Sequence, residues 1–188
     1  MRESHFREEA LTFATDLLNN PPESPEDLAA RWDRSGLSAT TGTRAETRDV
    51  AEVAAFLTRW ASVIDAADEG DRVARLNSLL ATAAAYPRIT DHDGSPWHLH
   101  YRDDRATLAS IIRTVTVVAA AEHLTTFGMH RLGRCASADC GRAFVDFSRG
   151  GRQRYCTRMC ANRDAVRRHR SRRARPDGGA AAVRRQSH

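Results

Sequence analysis

Apolar positions recur at helical spacing through the first half of the chain. Phe6, Ala10, Phe13 and Leu17 fall at i, i+4, i+7 and i+11, which predicts a first helix that stops at Asn19-Asn20-Pro21-Pro22. Ser24 is placed to cap a short second helix, with Pro25 at its first position, Glu26 and Asp27 in its first turn, Leu28 and Trp32 stacked, and Gly36 as its stop. Ser38 to Thr43 reads as a polar loop. Val50, Val53, Leu57, Trp60 and Ile64 predict a third helix ending near Gly70, and Val73, Leu76, Leu80 and Ala83 a fourth ending before Pro87.

After Pro87 the period changes. Arg88 to Thr90, the turn Asp91-His92-Asp93-Gly94, and Trp97 to Arg102 read as a short hairpin, with Leu99 and Tyr101 on one face and His98 and His100 on the other. Asp103 or Asp104 then caps a long helix to about Phe127. Its apolar residues, from Leu108 to Leu124, cover more than half the circumference, so this helix is expected at the centre of the core. The β-branched run Thr114 to Val118 leaves a strand as the competing reading. The longest apolar stretch, Ile111 to Ala121, is broken by Arg113, Thr114 and Thr116, too short and polar to span a bilayer, and no membrane partner is expected. No internal repeat occurs, and Pro176 to His188 reads as a disordered tail.

All 29 basic residues are arginine, a coding bias that makes their number less informative than their placement. Residues 1 to 130 hold 13 arginines against 20 acids, a net of −7, whereas residues 131 to 175 hold 14 arginines against Asp139, Asp146 and Asp164, a net of +11. A compact module with that charge would collect a phosphate backbone and release its counterions.

The same module contains all four cysteines, as C-x4-C-x15-C-x3-C: Cys135, Cys140, Cys156 and Cys160. Two cysteine pairs on short turns supply the four sulfurs of one structural zinc. Two disulfides are the alternative, but Glu3, Glu8, Glu9 and Asp16 stand where an export signal would be basic and then apolar. Two short strands, Leu132 to Cys135 and Ala143 to Asp146, would flank the first pair, and a helix from about Asn162 to Ala174 would follow the second. The arrangement is treble-clef-like, with zinc in place of a core that about 40 residues cannot build. On that helix Met159, Asn162, Val166 and His169 form one stripe, expected to pack on the finger. Arg163, Arg167 and Arg170, with Arg168, Arg172 and Arg173 further round, are expected to face outward and contact nucleic acid. Asn162, on the packing stripe, is expected to be structural, with reading an adenine edge as its alternative.

The stretch "RLGRCASADCGRAFVDFSRGGRQRYCTRMCANRDAVRRHRSRR" resembles the CGNR zinc finger, with Cys160-Ala161-Asn162-Arg163 in the position of Cys-Gly-Asn-Arg and alanine replacing glycine at 161. Upstream, "LTFATDLLNN" and "PWHLHYR" are similar to the ABATE domain that precedes this finger, with Asn20 where an Asn-Thr pair would have threonine. The resemblance covers roughly residues 10 to 175 and implies a stress-induced transcription regulator of bacteria.

The expected architecture is therefore mainly α. A multihelical domain at residues 1–130, with a short β-hairpin, precedes a small finger at 131–175 and a tail at 176–188, and the two cores are expected to share few contacts. Three function classes stand. A cytoplasmic, nucleoid-associated regulator would bind double-stranded DNA through the finger, sense a small-molecule or protein effector through the helical domain, and be compatible with a homodimer. An RNA-binding or ribosome-associated protein would use Phe144, Phe147 and Tyr155 for stacking. An enzyme would hold a pocket in the helical domain, but no Gly-rich phosphate loop or Ser-His-Asp order is present, so no enzyme is expected. His92, His98 and His100 lack an evident third ligand and read as strand and turn histidines, while Asp146 and Ser148 read as turn residues contacting backbone amides.

Overall fold

The computed structural model describes residues 2–37, 44–83, 88–90, 97–100 and 106–173. The expected loop at 38–43, the turn with His92, Tyr101 and Arg102, Asp103 and Asp104, Arg175, the tail at 176–188 and the side chains of His98 and His100 lie outside the described residues. Six helices and four short strands occur among them: α1 (Arg2–Asn19), α2 (Pro25–Arg34), α3 (Thr47–Ile64), α4 (Glu69–Ala83), β1 (Arg88–Thr90), β2 (His98–His100), α5 (Leu108–Phe127), β3 (Leu132–Arg134), β4 (Ala143–Val145) and α6 (Arg158–Arg173).

The first two helices start and stop as their sequence dictates. The Ser24 side chain accepts from the Asp27 amide at 3.1 Å, and Leu28 and Trp32 are buried, Trp32 edge-on to Phe13 with ring centroids 5.5 Å apart. α3 ends at Ile64, the last of its periodic positions, and not near Gly70. Asp68 accepts from the Asp71 amide at 2.8 Å while Asp71 accepts from the Ala67 amide at 3.1 Å, so the chain restarts as α4 and Gly70 lies in its first turn. On α4 it is Leu79, fully buried, that faces the core beside Leu76 and Ala83.

α5 is the central helix. Leu108, Ile112, Val117 and Leu124 are fully buried or nearly so, and α1, α3 and α4 all pack on it. It starts at a Thr107 cap, which accepts from the Ser110 amide at 3.2 Å, three residues beyond the aspartates expected there. The β-branched run is helical: burial on several sides outweighs its propensity, and the Thr114 and Thr116 hydroxyls donate to the carbonyls of Ala83 and Ile112 at 2.6 and 2.7 Å. At 20 residues α5 is long and apolar enough to cross a bilayer, contrary to the reading of its central stretch, but most of it is buried inside the protein. Gly128, at φ 109°, ends it in a conformation other residues resist.

β1 and β2 pair antiparallel, Ile89 opposite Leu99, as one two-stranded ribbon. β3 and β4 form a second, Leu132 opposite Val145 and Gly133 opposite Phe144. This second ribbon corrects the expectation of two nearly separate cores. Leu132, Ala143 and Val145 belong to the same buried cluster as Leu17, Trp60 and Leu124, and α1 lies directly against β4. A three-residue ribbon cannot bury itself, so it uses the helical domain as its other face.

Candidate metal centre and nucleic-acid interface

The cysteines are carried on two structures that converge. Cys135 follows β3, its amide donating to the Arg142 carbonyl at 2.9 Å, and Gly141 at φ 63° turns the chain from Cys140 into β4. Thr157 caps α6, accepting from the Cys160 amide at 3.2 Å, so Cys156 precedes the helix and Cys160 sits in its first turn.

All four sulfurs lie within 4.8 Å of one another and no disulfide joins them, so the disulfide reading fails. Tetrahedral zinc about 2.3 Å from each sulfur requires sulfur–sulfur edges of about 3.8 Å. The Cys140–Cys156 and Cys156–Cys160 edges are 3.6 and 3.7 Å. Burial raises the Cys135 thiol, but the Cys156 and Ser137 backbone amides and the neighbouring thiols outweigh it and bring it down to about 7. Cys156 is pushed up to about 12 by burial and by the thiols crowded around it. A cluster that favours one thiolate and penalises its neighbour is satisfied by a dication that lets both ionise. The residues fit one structural zinc on Cys135, Cys140, Cys156 and Cys160.

The connection between the two halves of the finger is organised by Asp146. Its carboxylate accepts from the Ser148 and Gln153 amides at 2.8 and 2.9 Å, the backbone-binding role its sequence context implied. Burial raises its pKa, but the Ser148 and Gln153 hydrogen bonds and the Arg131 charge hold it below the usual carboxylate range. Arg131 is itself buried and donates to the Phe127, Asp146 and Ser148 carbonyls, so it serves the fold.

Three further contacts tie the finger to the helical domain, and a fourth, from Arg72, braces the segment that leads into it. The Asn19 side chain donates to the Ala143 carbonyl at 2.9 Å and accepts from the Ala143 amide at 2.8 Å, pairing with the open edge of β4 as a strand would. Arg134 and Asp65 form a two-pronged ion pair with both contacts at 2.8 Å, and the Arg134 hydrogen bond holds the Asp65 carboxyl below its ordinary range. The buried Arg72 guanidinium bonds the Val63 and Ile64 carbonyls that end α3, at 3.0 Å each, and the Met129 carbonyl next to the finger. His123 lies between Phe127 and Phe147, each ring 5.1 Å away, with Nε2 3.3 Å from the Asp146 carbonyl.

The arginines of α6 face outward as expected, but the stripe expected to pack on the finger does not pack. Only Cys160 and Asp164 are buried on it, and no extensive contact with another helix or strand occurs among the described residues. Met159 is 71% and Val166 51% exposed, and Asn162 and His169 are exposed as well, so the stripe assigned to packing faces solvent. The expectation failed because the finger is too small to cover a four-turn helix; the zinc ligand Cys160, with the Tyr155 hydroxyl on Asp164, fixes which side faces inward. Asp164, one turn further, shares that side. It accepts from the Tyr155 hydroxyl at 2.7 Å and pairs with Arg167 and Arg168. The Tyr155 hydroxyl first, and then the two arginines, outweigh burial and hold Asp164 below its ordinary pKa. Arg167 and Arg168 are therefore engaged within the protein. Arg158, Arg163, Arg170, Arg172 and Arg173 are exposed and make no ion pair among the described residues.

Residues 131–173 match the model of the CGNR zinc finger, and residues 12–150 match that of the ABATE domain, described as "Putative stress-induced transcription regulator". The chain belongs to the ABATE family. No curated protein matches it. The ABATE and finger matches overlap over 131–150, the segment whose strands pack in both parts of the structure. Sequence reasoning placed the four ligands but missed the roles of Asn19, Arg72, His123, Arg131 and Tyr155, the last of which was read as a stacking aromatic. An asparagine at a helix end next to two prolines was the one local signal; the others depend on contacts distant in the chain.

Proposed function

We propose that this ABATE protein is a transcription regulator that binds double-stranded DNA through its zinc finger and α6. The observation that carries the reading is the charge on α6: seven exposed arginines and one acid, with that acid buried against the finger and five of the arginines in no ion pair among the described residues. An exposed helix with this much like charge is disfavoured in isolation and relieved by a polyanion. Duplex DNA is favoured over RNA because the aromatic residues of the finger are occupied. Phe144 is buried, Phe147 packs on His123, and the Tyr155 hydroxyl bonds Asp164.

In this reading the zinc centre sets the direction of α6, and Asn19, Asp65 and His123 hold the finger on the helical domain. That domain would take a small-molecule or protein effector and transmit it through the same contacts, in a regulator that acts in the cytoplasm on the nucleoid, by binding and not by catalysis. Contact of four to six arginines with phosphates gives a slope of log K against log salt of about −4 to −5. The test is fluorescence anisotropy of the zinc-loaded full chain with duplex DNA over a salt series. Arg163→Ala and Arg170→Ala should each make the slope shallower by about 0.9. A flat salt response, or slopes unchanged by both substitutions, would refute the reading.

A further inference from the structure

Resting on that reading, we infer that α6 enters the major groove with Asn162 and Val166 as its base readers, and that they read A·T pairs one base pair removed from each other. Cys160 and Asp164 define the anchored side of the helix. At 100° per residue, Met159, Asn162, Val166 and His169 fall within an arc of about 80° on the opposite side. All four are exposed, and none of the helix's arginines that pair with Asp164 lies among them.

Four of the unpaired arginines flank this arc, and Arg173, the last residue of the helix, lies within it. Arg163 and Arg170 lie on one side of it and Arg158 and Arg172 on the other, each pair separated by whole turns, and none is ion-paired among the described residues. A helix laid in a groove about 12 Å wide has a phosphate backbone on each side, and two flanking rows of cation match two backbones. Between the rows the polar and apolar choices fit base edges. Asparagine bonds adenine bidentately through N6 and N7, and a small branched side chain packs on the thymine methyl. Asn162 and Val166 are about 6 Å apart along the helix axis, close to two base-pair steps. Arg167 and Arg168, by contrast, are held on Asp164 on the finger side and are not readers.

The experiment begins with selection from a randomised duplex library by the zinc-loaded full chain, followed by anisotropy on the selected site. A short motif containing A·T pairs is expected. Asn162→Ala should lose about 5- to 150-fold on that site. On random duplex it should lose less than about threefold, as expected of a side chain that touches no phosphate. Placing 7-deazaadenine at one position of the site should weaken the native protein comparably and leave Asn162→Ala unaffected, as a double-mutant cycle requires. Uracil for thymine at a second position should weaken the native protein but not Val166→Ala. Retained duplex binding with no selected motif, equal losses on both DNAs, or additive losses in the cycle would overturn the inference while leaving the DNA reading intact. Lower zinc content or melting temperature in Asn162→Ala would overturn it in favour of a structural role. Failure to bind any duplex, or preference for structured RNA, would instead overturn the reading on which it rests.

Discussion

Asn19→Ala should destabilise the finger and the helical domain together. Among the described residues the side chain is the partner of both the Ala143 amide and the Ala143 carbonyl on the open edge of β4, at 2.8 and 2.9 Å, and Ala143 is 2% exposed. Truncation leaves one buried donor and one buried acceptor without partners. Each costs about 1–3 kcal/mol, and water reaching the vacated edge offsets part of that, so about 2–4 kcal/mol is expected in total. In a chain of this length that corresponds to a fall of roughly 5–15 °C in melting temperature. The assay is urea denaturation of zinc-loaded protein followed in parallel by Trp fluorescence, which reports Trp32 and Trp60 in the helical core, and by zinc release to a chromogenic chelator. Both transitions should move together, because Leu132, Ala143 and Val145 are part of the helical core. Asn19→Asp retains the acceptor and loses the donor, so it should fall between the two. A loss below about 0.5 kcal/mol, the range of ordinary surface substitutions, or a shift in zinc release with no change in the fluorescence transition, would refute the coupling.

Other expectations follow from the same geometry. Elemental analysis should find about one zinc per chain, and Cys160→Ser or chelation should lower zinc content and also the stability of the helical core, since the metal supplies folding energy to a ribbon that core depends on; an unchanged fluorescence midpoint would contradict this. Burial, outweighing the Asp146 carbonyl and reinforced by Arg7 and Arg131, holds His123 below its ordinary value of 6.5. The unfolded chain therefore takes up the proton first, so this contribution to stability is complete above about pH 6.5 and declines as pH falls below it. His123→Gln should flatten that slope, and an unaltered slope would exclude the assignment. Asp164→Asn should release Arg167 and Arg168, steepen the salt dependence of duplex binding by about 1–2 in slope and increase amide exchange in α6; a shallower slope would show that the pair orients the helix more than it sequesters charge.

The elements legible from sequence were those fixed by local chemistry. Ser24-Pro25-Glu26-Asp27 opens α2 because a cap needs only its own next turn, and the cysteine spacing defines a metal site because four ligands of one type have few other uses. The boundaries that were misplaced had competing local signals. Gly70 looked like the end of α3, but Asp68 and Asp71 restart the helix before it. The inward face of α6 was misread because its apolar stripe is a valid packing surface with nothing to pack against. The direction was set instead by one zinc ligand and by the Tyr155 hydroxyl on Asp164. The fusion of finger and helical domain depends on partners more than a hundred residues apart, such as Asn19 with Ala143, and single-residue patterns carry no such information.

In the proposed function a zinc-held α6 is the surface that meets duplex DNA. Amide chemical-shift mapping of the zinc-loaded full chain during titration with a duplex tests it most directly. Perturbations should concentrate on α6, strongest around Asn162, Arg163, Val166 and Arg170, with the exposed arginines 149, 152 and 154 at the margin and little change on α3 and α4. Perturbations centred on the helical domain, with α6 unaffected, would contradict it.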